Sequence, residues 1–303
     1  MIRVATFNAN GIRAAMRRGF GDWLVARDCD VVAIQEMRCG SDDVPDLPGY
    51  HLTYEPGGLP GRNGVAVLSK VPPLAVRTGI DRRAFHHEGR YLEVDLDLDG
   101  WRLTIASLYV PKGGRTGDPN PAPYAHKQRF MSAVRPYLGE ARRRAIAGGR
   151  EYLVMGDMNV AHTRRDLRNA TANNRQIGFL PSERDWFGSL LGPRTLVDVV
   201  RRLHPDEQGP YSWWRWGPGP FDNDVGWRID YQLATPGLAK ASLIAVTDKG
   251  TSYDARMSDH APVIVEYGPG PHSFISITPC QPAVANRPSR QSEQLVTNPC
   301  TGW

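Results

Sequence analysis

A carboxylate and an imidazole stand side by side in the run Met257-Ser258-Asp259-His260-Ala261-Pro262, immediately before the apolar stretch Val263-Ile264-Val265. An Asp-His pair can hold a proton, orient a water or bind a cation, and alone it does not choose among these. Three further polar clusters also close strand-like runs. Asn8 and Asn10 follow Ile2-Arg3-Val4-Ala5, Gln35-Glu36 follows Val31-Val32-Ala33-Ile34, and Gly156-Asp157-Met158-Asn159 follows Tyr152-Leu153-Val154-Met155. The ends of buried strands in an α/β sheet are where catalytic groups assemble.

Asn10, Glu36, Asp157, Asn159, Asp259 and His260, with Asn8, form an oxygen-rich set suited to a hard cation, Mg²⁺ with Mn²⁺ as a substitute. Zinc would call for a majority of cysteine and histidine, and only His260 brings nitrogen. A metal held by carboxylates and amides keeps positions open for water and a phosphate oxygen, as phosphoryl cleavage requires. His260 needs a carboxylate to fix its tautomer, and Asp230 in Trp227-Arg228-Ile229-Asp230-Tyr231 is the candidate. Tyr109 reads either as a core aromatic or as a phenol donating to a phosphate or leaving oxygen. Asn159 either closes an Asx-turn on Asp157 or joins the reacting groups.

Two segments suggest a nucleic-acid surface. Tyr211-Ser212-Trp213-Trp214-Arg215-Trp216, with Trp227 beyond a Gly/Pro-rich loop, offers aromatic faces for a base or sugar, although Trp214 or Trp216 also suits a core anchor. Arg164, Arg165 and Arg168 lead into the polar stretch Asn169 to Gln176, which is either a solvated face or a grip on a phosphate backbone.

The elements that must position these residues follow from periodicity. Short buried strands are predicted at 2–8 and 30–35, separated by an amphipathic helix around Trp23-Leu24-Val25. Strands follow near 64–68, 91–96 and 101–106, with Asp99-Gly100 as a hairpin turn, and again near 152–157, 228–234, 241–247 and 261–267. Phe130, Val134, Leu138, Ala141 and Ala145 recur at helical spacing, and Pro136 is expected to kink or split that helix; a further helical stretch lies near 183–191. The predicted fold is α/β, a four-layered sandwich of two packed mixed β-sheets flanked by helices, with each half of the chain sending strand-end polar residues to one cleft.

With 303 residues, 41% hydrophobic and 23% charged, the chain has ample core for one large domain. A net charge of +5 favours a polyanionic partner, although the excess of arginine over lysine is also what a GC-rich coding sequence would give. No apolar run is long enough to span a bilayer, and Met1-Ile2-Arg3-Val4 lacks a signal-peptide pattern, so a cytoplasmic location and no membrane partner are expected. Cys29, Cys39, Cys280 and Cys300 show neither a zinc spacing nor a disulfide framework. A catalytic domain over 1–268 and a disordered tail over 269–303 are expected from the shift to Gly, Pro, Ser, Gln and Asn after Tyr267.

Read together, Phe7-Asn8-Ala9-Asn10-Gly11-Ile12-Arg13-Ala14, Gln35-Glu36, Tyr109-Val110-Pro111, Gly156-Asp157-Met158-Asn159-Val160-Ala161-His162, Asp166-Leu167-Arg168-Asn169, Gly226-Trp227-Arg228-Ile229-Asp230-Tyr231 and Ser258-Asp259-His260-Ala261-Pro262 resemble the exonuclease III family of apurinic/apyrimidinic endonucleases, within the endonuclease/exonuclease/phosphatase superfamily. The resemblance spans about residues 1–267 and keeps motif order. It implies that Glu36, with Asn10 and Asp259, holds magnesium while Asp157 orients the attacking water. Asn8 and Asn159 would bind the scissile phosphate, His260 paired with Asp230 would contact it, and Tyr109 would stabilise the transition state. Trp213, Trp227 and Ile229 match the pocket for an extrahelical abasic sugar, Asn169 and Asn173 match DNA-contacting loop positions, and Arg115 matches a residue some members insert into the duplex. Lys112 departs from the asparagine of the animal members.

The implied activity is Mg²⁺-dependent cleavage of the DNA backbone 5′ to abasic sites, by a monomer acting on double-stranded DNA with abasic sites or blocked 3′ ends, with 3′-to-5′ exonuclease and 3′-phosphodiesterase activity alongside. A phosphoesterase acting on a lipid or inositol phosphate would share the core chemistry, and a non-catalytic DNA-damage binding module would share the surface.

Overall fold

Runs such as Val31-Val32-Ala33-Ile34 carry no polar alternation, so a strand built from them must be covered on both faces. The computed structural model, which describes residues 1–80 and 83–271, meets that demand with four layers. In chain order the elements are β1 (Ile2–Asn8), α1 (Ile12–Arg17), α2 (Phe20–Arg27), β2 (Val31–Gln35), β3 (His51–Glu55), β4 (Val65–Ser69), β5 (Ala75–Thr78), β6 (Tyr91–Leu98), β7 (Trp101–Tyr109) and α3 (Ala122–Ala147). They continue as β8 (Glu151–Asp157), α4 (Pro181–Gly188), β9 (Val197–Asp198), α5 (Val199–Leu203), β10 (Asp230–Ala234), α6 (Pro236–Lys240), β11 (Ser242–Thr247) and β12 (Val263–Tyr267).

Two six-stranded mixed sheets result, in the orders β11-β12-β1-β2-β4-β3 and β5-β6-β7-β8-β10-β9. Each has one parallel pair at its centre, β1 with β2 and β7 with β8, among antiparallel neighbours. The period-2 direction of strand side chains divides every apolar run between two cores. Val4, Val31, Ala33, Ile105, Leu153 and Met155 fill the space between the sheets. Ala5, Phe7, Val32 and Ile34 face Ile12, Phe20 and Leu24 of α1 and α2, whereas Ala106, Leu108, Tyr152 and Val154 face Phe130, Val134 and Leu138 of α3.

The inner core also contains a polar seam. Gln35 Nε2 donates to Ser107 Oγ at 2.9 Å, and Ser107 Oγ donates to the Ile34 carbonyl at 3.0 Å. Gln232 Nε2 reaches from the other sheet to the carbonyls of Val4 and Val263 at 3.0 and 3.1 Å, while its Oε1 accepts from Tyr267. A one-residue slip would strand these buried groups without partners, so the seam fixes how the sheets stack.

Several expectations are revised. Each sheet mixes both halves of the chain: β11 and β12 flank β1, and β5 to β7 flank β8. The cleft therefore lies between sheets, not between sequence halves. Pro136 does not split α3, which runs unbroken from Ala122 to Ala147. It sits on the exposed face, where water can take the carbonyl it frees, while Phe130, Met131, Val134, Leu138, Ala141 and Ala145 hold the other face down. Burying such side chains at ~1.5–3 kcal/mol each outweighs a proline penalty of ~3 kcal/mol. The strands β3, β5 and β9 escaped the periodicity because they are short or lie at sheet edges, with half their residues outward.

Asp99-Gly100 forms the expected two-residue turn, with φ of 44° and 77°. After β12 the chain stays on the fold: Trp101 Nε1 donates to the Gly268 carbonyl at 2.9 Å, and Gly270 lies against Gly100. The remainder of the expected tail, from residue 272, lies outside the described residues.

Gly156 shows how tightly the strand under the Gly-Asp-x-Asn motif is held. Its φ is 142°, and a Cβ there would stand 2.0 Å from the Leu108 carbonyl oxygen on β7. Gly156→Ala is expected to destabilise the fold by about 2 kcal/mol or more, as strain at a special backbone position does. Urea unfolding should show a lower midpoint at unchanged slope.

Candidate active site

Strand register brings the polar clusters together. Asp157 at the end of β8 is paired with Tyr109 on β7 and with Asp230 on β10, so three reactive side chains stand abreast in one sheet. In the other sheet Asn8 pairs with Gln35, and the chain beyond each strand end delivers Asn10 and Glu36. The Asn8 amide, fully buried, donates to Glu36 Oε1 at 2.8 Å and to Asp157 Oδ2 at 2.9 Å, which ties the two sheets through one side chain. Asn10 Nδ2 donates to Asp259 Oδ1 at 2.7 Å, and Trp213 Nε1 donates to Asp259 Oδ2 at 3.1 Å.

Asn159 closes the Asx-turn and also contacts Asp157 with its side chain. Its backbone N–H closes an Asx-turn on Asp157 Oδ1 at 2.8 Å, and its Nδ2 donates to Asp157 Oδ2 at 3.1 Å and to the Val110 carbonyl at 2.9 Å. His260 Nδ1 meets Asp230 Oδ2 at 2.8 Å, which leaves Nε2 facing Asp157 at 3.8 Å. Ser212, which sequence reasoning did not single out, holds Asp230 from behind. Its hydroxyl donates to Asp230 Oδ2 at 2.6 Å and accepts the N–H groups of Ile229 and Asp230. A serine ahead of an aromatic run carries no sequence signal of this role.

Charge is distributed unevenly over these groups. Burial pushes the Asp157 carboxyl far above the usual range, opposed by His260 and reinforced by Asp230 and Glu36. Burial alone would lower His260, but Asp230, with Asp157 and Asp259, raises it well above neutrality. With Nδ1 on Asp230 and the ring raised in this way, Nε2 can carry a proton as a hydrogen-bond donor. Asp157, Asp230 and His260 lie with their polar atoms within 4.8 Å of one another as an ion-paired triad. Asp259 is held low: its burial is outweighed by His260 and the donors Trp213 and Asn10. Tyr109, 8% exposed, is pushed well above its ordinary value by burial and by the Glu36 and Asp157 charges, so it is a donor rather than a base. Arg90 stacks 4.8 Å over its ring.

Glu36, Asp259 and Asn10 present carboxylate and amide oxygens without a thiolate or a free imidazole, a donor set that fits a hard divalent cation. Arg38 Nε meets Glu36 Oε2 at 2.7 Å, a contact absent from the sequence reading. Asn10, Glu36, Arg38 and Asn159 all have left-handed backbones, with φ of 46°, 54°, 53° and 47°. Non-glycine residues rarely adopt this conformation, and its concentration around one cluster marks a functional point in the chain.

Beside the cluster lies a patch of packed aromatic and apolar side chains. Trp213 and Trp227 stand at 87° with ring centroids 6.4 Å apart, and Ile229, Leu167, Ala161, Ala170 and Phe179 pack around them. Trp213 forms an antiparallel bridge with His260, so the patch abuts the triad. Trp214 is a core residue, and Trp216 is clasped by Arg256 and Arg18. Asn169, Asn173 and Arg115 stand on loops at the rim and make no hydrogen bond to the cluster; Asn173 Nδ2 caps the Asn169 carbonyl at 3.0 Å. The Ile177 N–H donates to Thr116 Oγ1 at 2.8 Å, which joins those two loops.

The Asp-Leu-Arg-Asn and Trp-Arg-Ile-Asp motifs prove partly internal. Arg228, 1% exposed, donates to Asp166 Oδ1 at 2.7 Å and with both terminal nitrogens to Asp198, and Arg201 also reaches Asp166. This network holds the rim loop against Trp227.

A two-sheet sandwich with buried acids, amides and an imidazolium converging at one edge defines a phosphoester hydrolase. The chain belongs to the Endonuclease/Exonuclease/phosphatase family, whose model matches residues 5–260. It is similar to an exodeoxyribonuclease of Bacillus subtilis, 31% identical over 264 residues that cover 86% of this chain and 98% of that one. It is also similar to the DNA repair nuclease APEX1 of Danio rerio, 29% identical over 268 residues that cover 86% and 81% of the two chains. Among solved structures, an AP endonuclease from Archaeoglobus fulgidus superposes with a TM-score of 0.75 at 28% identity, covering 88% of this chain and 99% of that one. No helix among the described residues is long and apolar enough to cross a membrane.

The network under the patch predicts an acid-sensitive fold. Burial would raise Asp166, but Arg228 and Arg201 pull it down to about 2. A carboxylate depressed on folding stabilises above its unfolded value, near 4, and that contribution, about 2 kcal/mol, disappears as pH falls from about 4 to 2. Asp166→Asn should cost about 2–4 kcal/mol at pH 7, by leaving buried guanidinium charge less well paired, and should flatten the acid limb of stability against pH. Equal acid limbs in the two proteins would contradict the assignment.

Proposed function

We propose that this chain hydrolyses the backbone of duplex DNA on the 5′ side of abasic sites, as a monomer using Mg²⁺, and leaves a 3′-hydroxyl and a 5′-deoxyribose phosphate. The observation that carries this reading is the bridge between Trp213 and His260, which joins the apolar patch of Trp213, Trp227 and Ile229 to the polar cluster. A nucleotide without a base unstacks cheaply, and a pocket walled by Trp213, Trp227 and Ile229 accepts its sugar while excluding a full nucleotide. Trimming of blocked or ordinary 3′ ends is the accompanying activity. The positive balance of the chain and the arginines at 164, 165 and 168 suit a duplex more than a lipid headgroup.

Each role follows from position. Asp157, whose lone pairs are aimed by Asn8 and Asn159, orients a water and takes its proton during in-line attack on phosphorus. Its raised pKa makes it a better proton acceptor than an exposed aspartate. The doubly protonated His260, anchored by Asp230 and Ser212, offers Nε2–H to a phosphate oxygen, and the Tyr109 phenol donates to the same developing charge. Glu36, Asp259 and Asn10 would hold the metal. When bound, Mg²⁺ supplies charge neutralisation at the phosphate and leaving oxygen. Asn169, Asn173 and Arg115, placed on the rim, would contact the strands flanking the lesion.

Glu36→Gln and Asp157→Asn preserve shape, so each should lower the incision rate by ~10³-fold or more while leaving the melting temperature within a few degrees. Cleavage of a labelled duplex with one central abasic analogue, with Mg²⁺ and with EDTA, is the assay. Turnover of a small phosphoester without incision of the abasic duplex would refute the DNA reading, and tight binding without any cleavage would leave only a binding module.

A further inference from the structure

Behind the cluster lies a buried ion pair that the proposed reaction does not use. Lys127 on α3 and Glu183 in the first turn of α4 are 0% and 1% exposed and meet at 2.6 Å. Such a pair is a poor source of stability, because apolar residues of the same volume would fold as well or better. Its partners suggest another purpose. Lys127 Nζ also donates to the Asn159 carbonyl at 2.9 Å and to the Lys112 carbonyl at 3.4 Å, and burial, which pulls its pKa down, is opposed by the Glu183 carboxylate. Glu183 Oε2 accepts the N–H groups of Gly178 and Leu180 at 2.6 and 3.0 Å.

Every one of these contacts falls on a segment that carries site residues. The Asn159 carbonyl belongs to the left-handed turn that aims the amide at Asp157. Lys112 lies between Tyr109 and Arg115, and the neighbouring Gly113 is packed so closely that a Cβ would come within 2.8 Å of Lys127 Cδ. Gly178 ends the loop of Asn169 and Asn173, gives its carbonyl to the Ala161 N–H at 2.7 Å, and backs onto the Trp227 ring, 3.2 Å from where its Cβ would be. One ammonium and one carboxylate therefore hold the backbones of the catalytic turn, the Tyr109 loop and the aromatic patch.

We infer that the Lys127–Glu183 pair positions the reacting groups, fixing Asn159 and through it Asp157, without touching substrate. Buried charges need full pairing, so the pair allows these three backbones only one mutual arrangement. Solvent salt does not screen it at this depth. The inference rests on the reading of Asn159, Asp157 and Trp227 as groups of a DNA-cleaving site.

The test is the charge-free double variant Lys127→Met/Glu183→Gln, in which the glutamine oxygen can still accept from Gly178 and Leu180. Single variants leave a lone buried charge and serve only as stability controls. Melting temperature, kcat and KM on the abasic duplex, and amide hydrogen exchange at Asn159, Ala161 and Gly178 are compared with the unmodified protein. We expect a melting temperature close to that of the unmodified protein, exchange at Asn159 and Ala161 faster by ~10-fold, and kcat lower by ~30-fold with KM changed less than ~3-fold, since a misplacement of about 1 Å costs up to ~10²-fold. A double variant with unaltered kcat and exchange, whatever its melting temperature, would reduce the pair to a structural one and overturn the inference. Should the unmodified protein itself fail to cut abasic DNA, the function reading falls separately, and the exchange rates still decide whether the pair fixes the turn.

Discussion

Burying several carboxylates in one place is the constraint on which this molecule turns. Glu36, Asp157 and Asp230 lie at or below 8% exposure, and like charges so enclosed repel strongly unless something intervenes. The Asn8 amide, with one hydrogen on Glu36 and the other on Asp157, separates two of them, and the His260 imidazolium neutralises the third. Because Asn8 hangs from one sheet and Asp157 from the other, the arrangement exists only if the sheets pack face to face at one offset. The glutamines of the inner seam, Gln35 and Gln232, impose that offset from inside the core. Catalytic electrostatics and sheet packing are thus one problem with one solution here.

The sandwich also explains why the reactive residues are scattered over most of the chain. A parallel pair at the centre of each sheet puts Asn8 beside Gln35 and Tyr109 beside Asp157. The antiparallel partner β10 runs away from the site, so Asp230 is its first residue whereas Asp157 is the last of β8. Residues that share a cluster therefore come from opposite ends of strands. The aromatic patch is added outside the sheets by Trp213 and Trp227, which pair with each other as a short ribbon braced by Arg228 and Asp166.

Much of this was legible in the sequence where the physics was local. Strand-end acids and amides, the Asp99-Gly100 turn and the apolar runs of β1, β2, β7 and β8 each state their role within a few residues. What was hidden depends on distant partners. Ser212 reads as an ordinary polar residue until Asp230 arrives beside it, and nothing local to Lys127 or Glu183 shows that the two charges meet. Pro136 does not split α3, because the face of the helix that packs on the sheet, which local propensity omits, holds it. Edge strands such as β3, half exposed, lack the periodic contrast that marks central ones.

The meeting of Met1 and Gly270 at the Asp99-Gly100 turn has a consequence of its own. Strands β1 and β7 each run from that turn toward the cluster, a distance of roughly 20–30 Å at ~3.3 Å per residue. Met1 and Gly270 therefore lie near each other on the side of the fold away from the cluster. A module joined at Met1 would start from the back of the molecule, without obstructing a duplex at the cluster.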